Sequence, residues 1–106
     1  IYAADDAEAV LRLLNTDYTG LINLGSSAFN SVGRVVQTLE TLSGKRIKDL
    51  GRPVSGPMRI CLDTSQLRRL TGWAPRHSLE QGLTATYATM KEWADECRWW
   101  ERANGH

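Results

Sequence analysis

Between Asp63 and Gln81 the chain is punctuated so firmly that the rest must fold around it. Asp63 and Thr64 offer side-chain oxygens to the free N–H groups of a helix start. Leu67 and Leu70 mark the buried side of that helix. Gly72 stands where a left-handed stop is wanted, and Trp73 follows for the apolar contact that accompanies such a stop. Pro75 lacks an N–H and fixes φ, so the helix cannot run through it. Ser78-x-x-Gln81 is a capping box that opens the last helix. Just upstream, Arg52-Pro53, Gly56-Pro57 and Arg59 make a basic, turn-rich loop, and Ile60-Cys61-Leu62 reads as a brief buried strand.

The remaining elements follow from periodicity. Asp5-x-x-Glu8 resembles a capping box, and Ala7, Val10, Leu11 and Leu14 recur at helical spacing up to Asn15. After a turn at 16–20, Leu21 to Gly25 reads as a short buried strand, with Ser26 to Asn30 as the loop beyond it. Asn30 or Ser31 caps a helix whose residues Val32, Val35, Val36, Leu39 and Leu42 form an amphipathic core face ending at Gly44. Lys45 to Leu50 alternates charged and apolar residues, as a half-exposed edge strand does. The final helix runs from Leu79 to about Ala103, near 37 Å at ~1.5 Å per residue. Leu79, Leu83, Tyr87, Met90, Trp93, Ala94 and Cys97 mark its inner face, and Gly82 predicts a close approach there. Trp99 and Trp100 suit packing on another domain or on a second copy of the chain.

Composition excludes several function classes. With thirteen basic and twelve acidic residues the net charge is +1, so no global field draws nucleic acid or an anionic membrane. That balance also argues against a helix-turn-helix DNA binder built on Ser31 to Gly44. No apolar run approaches the ~18 residues of a transmembrane helix. The two cysteines, Cys61 and Cys97, fit neither a zinc spacing nor a disulfide framework, and read as reduced thiols packed in a cytoplasmic protein. The chain opens on Ile1-Tyr2 without Met, on residues that suit the end of a buried strand, which suggests a piece of a longer protein.

No catalytic or metal-binding set is evident. His77 and His106 have no cluster of Cys, His or carboxylate in ligand spacing, and read as exposed residues without a role. The carboxylates fall at helix starts or on exposed faces. Arg52 and Arg59 are different, because guanidinium forks suit phosphate oxygens and a loop held by two prolines loses little freedom on binding. Composition alone favours the plainer reading, two ordinary surface arginines beside a turn.

Taken together, C-L-D-T-S-Q-L-x-x-L-x-G-W-x-P-x-x-S-L-E-x-G-L after Arg59 resembles the C-terminal part of the NAD-dependent nucleotide-sugar epimerase/dehydratase family, the extended short-chain dehydrogenases. Members typically read L-D-x-S-(K/R)-(A/L)-x-x-x-L-G-W-x-P-x-x-S-L-E-E-G-L there. Tyr2, Asp5, Ala7 and Ala9 match the family's (I/F)-(Y/H)-V-x-D-x-A-x-A, with Ala4 at an often acidic position. Asn23, Leu24, Gly25 and Ser26 match Y-N-(I/L)-G-(S/G)-G, with Ser27 in place of the second glycine.

The resemblance implies a small α+β substrate-binding lobe over residues 1–106, three to four helices with short strands, joined in the whole enzyme to an N-terminal Rossmann domain. It implies that Arg59, with Arg52 assisting, grips the diphosphate of a nucleotide-diphosphate sugar. NAD or NADP would be the cofactor of the intact enzyme, held by a glycine-rich loop in the other domain and not by this chain. The family's catalytic Tyr-x-x-x-Lys pair also lies there. Tyr87 and Lys91 have that spacing, but they fall in the terminal helix. A homo-oligomer is compatible with this reading. The alternative is a non-catalytic interaction or regulatory module derived from the same fold.

Overall fold

The computed structural model describes the backbone of residues 1–103 and the side chains of residues 1–96 and 98. Helices α1 (Ala3–Leu14), α2 (Val32–Ser43), α3 (Ser65–Thr71) and α4 (Leu79–Ala103) follow one another along it. Their boundaries are set by local chemistry. Ser31 Oγ accepts the Arg34 N–H at 3.1 Å to start α2. Gly44 takes a left-handed φ of 68° and its N–H closes on Glu40 at 2.9 Å to end it. Asp63 Oδ1 accepts the Ser65 N–H at 2.9 Å and also the Ser65 hydroxyl. Thr64 is the N-cap residue of α3 but makes no capping bond with its side chain. Gly72, again at φ 68°, stops α3 with an N–H bond to Arg68 O at 2.7 Å. The capping box of α4 is reciprocal: the Gln81 N–H donates to Ser78 Oγ at 3.1 Å, and the Ser78 N–H donates to Gln81 Oε1 at 2.9 Å.

The α+β expectation is wrong for this chain: among the described residues there are helices and no strand. The physical reason is that a strand exists only where another backbone pairs with it. The segment at 21–25 lies beside 62–64, since a Cβ on Gly25 would sit 3.6 Å from Leu62 and Asn23 Nδ2 donates to Asp63 O at 3.4 Å. Yet no backbone bond joins the two segments among the described residues. Burial fails as well as pairing, because Leu21 is 94% exposed and Ile60 and Cys61 are exposed. Cys61 is therefore an exposed free thiol, not the packed one expected. The side chains of Cys97, Trp99 and Trp100, and His106 altogether, lie outside the described residues.

The core is small. Ala9, Leu67 and Trp73 are fully buried, and Leu13, Ile22 and Leu24 pack against them where α1 meets α3. The apolar stripe of α1 points away from this core: Val10, Leu11 and Leu14 are 46%, 63% and 74% exposed, while Asp5 and Ala9 face inward. Helix α2 lies against α4 yet buries none of its residues fully. Trp93, expected inside, is exposed. Gly82 does make the close approach its position predicts, to a side chain and not to a helix: a Cβ there would meet Tyr2 at 3.3 Å.

These exposures add up to an incomplete shell. The accessible surface is 8779 Å², against about 5,900 Å² for a folded monomer of this length, an excess of roughly 2,900 Å². The radius of gyration is 18.0 Å, where a compact domain of this length has about 13 Å.

Candidate functional site

Two constellations emerge, one expected and one not. The expected one is the basic loop. Arg59 is exposed, and its guanidinium carbon lies 5.6 Å from the centroid of the Phe29 ring, within cation–π range. No described carboxylate pairs with it. Arg52 is exposed in the same loop and makes no described hydrogen bond or ion pair, so the structure does not draw it into the Arg59–Phe29 pair.

The Phe29 loop is held against the segment that follows Arg59. Beyond the Gly25–Leu62 and Asn23–Asp63 contacts, the hydroxyls of Ser27 and Thr64 bond to each other. Ser27 takes a left-handed φ of 57°, the described non-glycine residue with positive φ. That conformation suits glycine, which accounts for the glycine the family pattern carries there. Ser27 exchanges conformational ease for the bond to Thr64. Asp63 is committed to the start of α3, where the Ser65 hydroxyl and N–H hold its carboxyl below the usual 3.8.

The unexpected constellation centres on Asp5. Instead of capping α1, Asp5 lies inside its first turn and is 2% exposed. Its carboxylate accepts the His77 backbone N–H at 3.0 Å and faces His77 Nδ1 at 2.9 Å. A carboxylate can only accept, so Nδ1 carries the proton. The Asp5 carbonyl accepts the Trp73 indole N–H at 3.0 Å. Burial pushes the Asp5 carboxyl up, but hydrogen bonds from the His77 ring and from the His77 and Arg76 backbone outweigh it, and the carboxyl lies below 3.8. Arg12 adds a second tie, donating to the Thr71 carbonyl at 3.1 Å and to Glu8 at 3.0 Å. Arg76 meets the same Glu8 oxygen at 2.8 Å. Together these bonds fasten α1 to the stretch between α3 and α4.

Sequence reasoning missed this hub because Asp5 and His77 are 72 positions apart along the chain, with α2 and α3 between them. The one available signal was the joint presence of Ala3-Ala4-Asp5, which stands where the resembled pattern has V-x-D, and of Trp73-Ala74-Pro75. Chemically the pair resembles an oriented imidazole, and the Tyr2 ring lies 4.6 Å from it. Ser26, Asn30 and Ser78 line the adjoining cleft. No described hydroxyl or thiol bonds to the ring, and the bonds that the pair makes tie α1 to the stretch between α3 and α4. No group of three or more potential metal ligands occurs among the described residues. Among the described residues, no strand leads into a glycine-rich turn of the kind that cradles a dinucleotide, and Gly25 faces Leu62.

No protein-family model matches the chain, and no solved structure matches it. Curated relatives do. A GDP-mannose 3,5-epimerase of Arabidopsis thaliana is 28% identical over 101 residues, 92% of this chain and 25% of the relative. A probable GDP-L-fucose synthase 1 of Oryza sativa subsp. japonica is 29% identical over 92 residues, 82% of this chain and 27% of the relative. The UDP-glucuronic acid decarboxylase 6 of Arabidopsis thaliana is 29% identical over 84 residues, 77% of this chain and 24% of the relative. The chain is similar to nucleotide-sugar enzymes. It spans about a quarter of the length of these relatives. Among the described residues, no helix is long and apolar enough to cross a membrane.

Proposed function

We propose that this chain is the substrate-gripping part of an NAD(P)-dependent nucleotide-sugar epimerase/dehydratase-type enzyme. Arg59 holds the diphosphate of the substrate and Arg52 assists from the same loop. One observation carries the reading. An exposed guanidinium, steadied over Phe29 and without a described carboxylate partner, sits in a chain whose relatives are named for GDP- and UDP-linked sugars. A guanidinium backed by an aromatic face keeps its fork open to phosphate oxygens. NAD(P) and the reacting groups belong, in this reading, to a nucleotide-binding lobe outside residues 1–106. That lobe covers the exposed side of residues 47–62, where Ile47, Leu50, Val54, Met58 and Ile60 face outward. The enzyme is cytoplasmic in this reading.

The test is direct binding of GDP and UDP to the chain, followed by titration calorimetry or by shifts of the Arg59 side-chain resonances. With one lobe present the expected affinity is about millimolar, roughly −4 kcal/mol. Arg59→Ala should abolish binding, and Arg59→Lys should restore only part of it, since an ammonium lacks the fork. Arg52→Ala should do less, and added salt should weaken all of these contacts. Equal binding by Arg59→Ala and the parent chain would rule the assignment out.

A further inference from the structure

We propose that the cleft beside His77 is a base pocket that reads the imide edge of uracil, so that this lobe takes a UDP-linked sugar in preference to a GDP-linked one. The inference rests on the nucleotide-sugar reading and adds the base to it. The relatives are named for both kinds of nucleotide, so the chain's own residues decide. The cleft has a volume of about 150 Å³, half of the ~300 Å³ at which pockets for drug-sized ligands begin. A single six-membered ring fits such a space and the fused rings of a purine do not. Tyr2 supplies a flat wall, with its ring centroid 4.6 Å from that of His77. Gly82 lets that wall lie close, because a Cβ there would meet the Tyr2 side chain at 3.3 Å.

The hydrogen-bonding pattern selects the ring. Asp5 engages the proton-bearing Nδ1 of His77, so the far edge of the neutral imidazole offers Nε2, an acceptor with no described partner. Asn30 lines the same cleft, and its amide has one orientation: Oδ1 accepts from the Arg34 guanidinium at 3.1 Å. That leaves the Nδ2 hydrogens free to donate. Ser26 and Ser78 accept the Ala28 and Gln81 N–H groups on their hydroxyl oxygens, and each keeps its O–H hydrogen for a ligand. The cleft therefore offers one ring acceptor among three donors. The imide edge of uracil is the complement, an N–H between two carbonyls. Cytosine has a bare ring nitrogen where uracil has that N–H, and would set lone pair against lone pair at Nε2. Ser26 and Asn30 belong to the loop that carries Phe29, the ring behind Arg59. A nucleotide laid along this loop has its diphosphate on Arg59, its base against His77 and its ribose between them.

The test compares UDP with CDP and GDP on the full chain by ligand-observed magnetic resonance. UDP should bind at least about tenfold more tightly than either, the effect of one hydrogen bond made against one acceptor left unpaired. His77→Phe keeps a ring and loses Nε2, and should bring UDP down to the level of CDP. That variant also takes a partner from buried Asp5, so circular dichroism must show its helices intact. Asn30→Asp is the second variant, since it keeps the Arg34 contact and turns the donor into an acceptor. It should remove the preference of UDP over CDP, a ratio in which the added charge cancels. Equal binding of UDP, CDP and GDP, lost together in Arg59→Ala, would overturn the base pocket and leave the diphosphate grip standing. A UDP preference that survives Arg59→Ala and falls in Asn30→Asp would support the pocket and refute the grip. A preference untouched by both cleft variants overturns the pocket, as does tighter binding of GDP. Binding of none of the three overturns both.

Discussion

Removing the Asp5 carboxylate should cost more than any other single polar change near the core, and the size of the loss separates a tie from a cap. Asp5→Ala leaves the His77 backbone N–H and ring without their acceptor in a place water scarcely reaches. Each orphaned donor costs on the order of 1–3 kcal/mol, and the His77 ring, which is 38% exposed, recovers part of its share from solvent. The expected loss is about 2–4 kcal/mol, a large part of the 5–15 kcal/mol that holds an ordinary domain together. Asp5→Asn keeps one acceptor for the His77 N–H, and its amide can face Nδ1 once the proton moves to Nε2, so it should lose only about 1 kcal/mol. An N-cap would behave otherwise, with Asn as good as Asp and Ala costing roughly 1 kcal/mol. Urea unfolding followed by circular dichroism, at one fixed protein concentration, reads the difference. The sign with pH is also fixed. Because the folded-state value lies below 3.8, the stability Asp5 adds is complete above that value and is lost as pH falls through the lower one. Asp5→Asn should remove that portion of the acid slope. An Asp5→Ala chain within about 0.5 kcal/mol of the parent would refute the reasoning.

Gly72→Ala should destabilise by about 1–2 kcal/mol, because a Cβ is strained at φ 68° even with no close neighbour; a urea midpoint will show it. Ser78→Ala and Gln81→Ala should each cost about 1 kcal/mol and less than additively together, since they remove two halves of one capping box. At Ser27, glycine relieves the left-handed strain and loses the Thr64 bond, whereas alanine loses the bond and keeps the strain. Ser27→Ala should therefore melt lower than Ser27→Gly by about 1 kcal/mol, and equal melting would mean that the loop is not strained there.

The features that could be read from the sequence were those determined within one or two helical turns. The Gly44 and Gly72 stops, the Ser31 cap and the Ser78–Gln81 box all depend on neighbours a few residues away, and each is found as expected. What could not be read depends on partners elsewhere. The segments at 21–25, 45–50 and 60–62 have strand-like residues, but pairing is a property of two backbones, and neither periodicity nor propensity supplies the second. The stripe at Ala7, Val10, Leu11 and Leu14 was a true helical stripe, and its period could not say which body it faces. For the candidate site, Arg59 was singled out by its place just before the C-L-D-T-S run, and its role there is the proposal made above. Its stacking on Phe29 was not legible, and neither was the Asp5–His77 tie, because charge burial has no local signature.

The length of α4 has a consequence for exchange with solvent. Its first turns, around Leu79, Gly82 and Leu83, are held by the capping box and by Tyr2, whereas residues 88–96 are all exposed. Helical stretches without tertiary support are marginal in water below ~12–15 residues, so order in this part must be propagated from the packed end. Deuterium should accordingly enter α4 as a directional gradient. Amides near Thr86 and Tyr87 should outlast those near Glu92 and Asp95, and the whole ladder should collapse together when the box at Ser78 and Gln81 is removed.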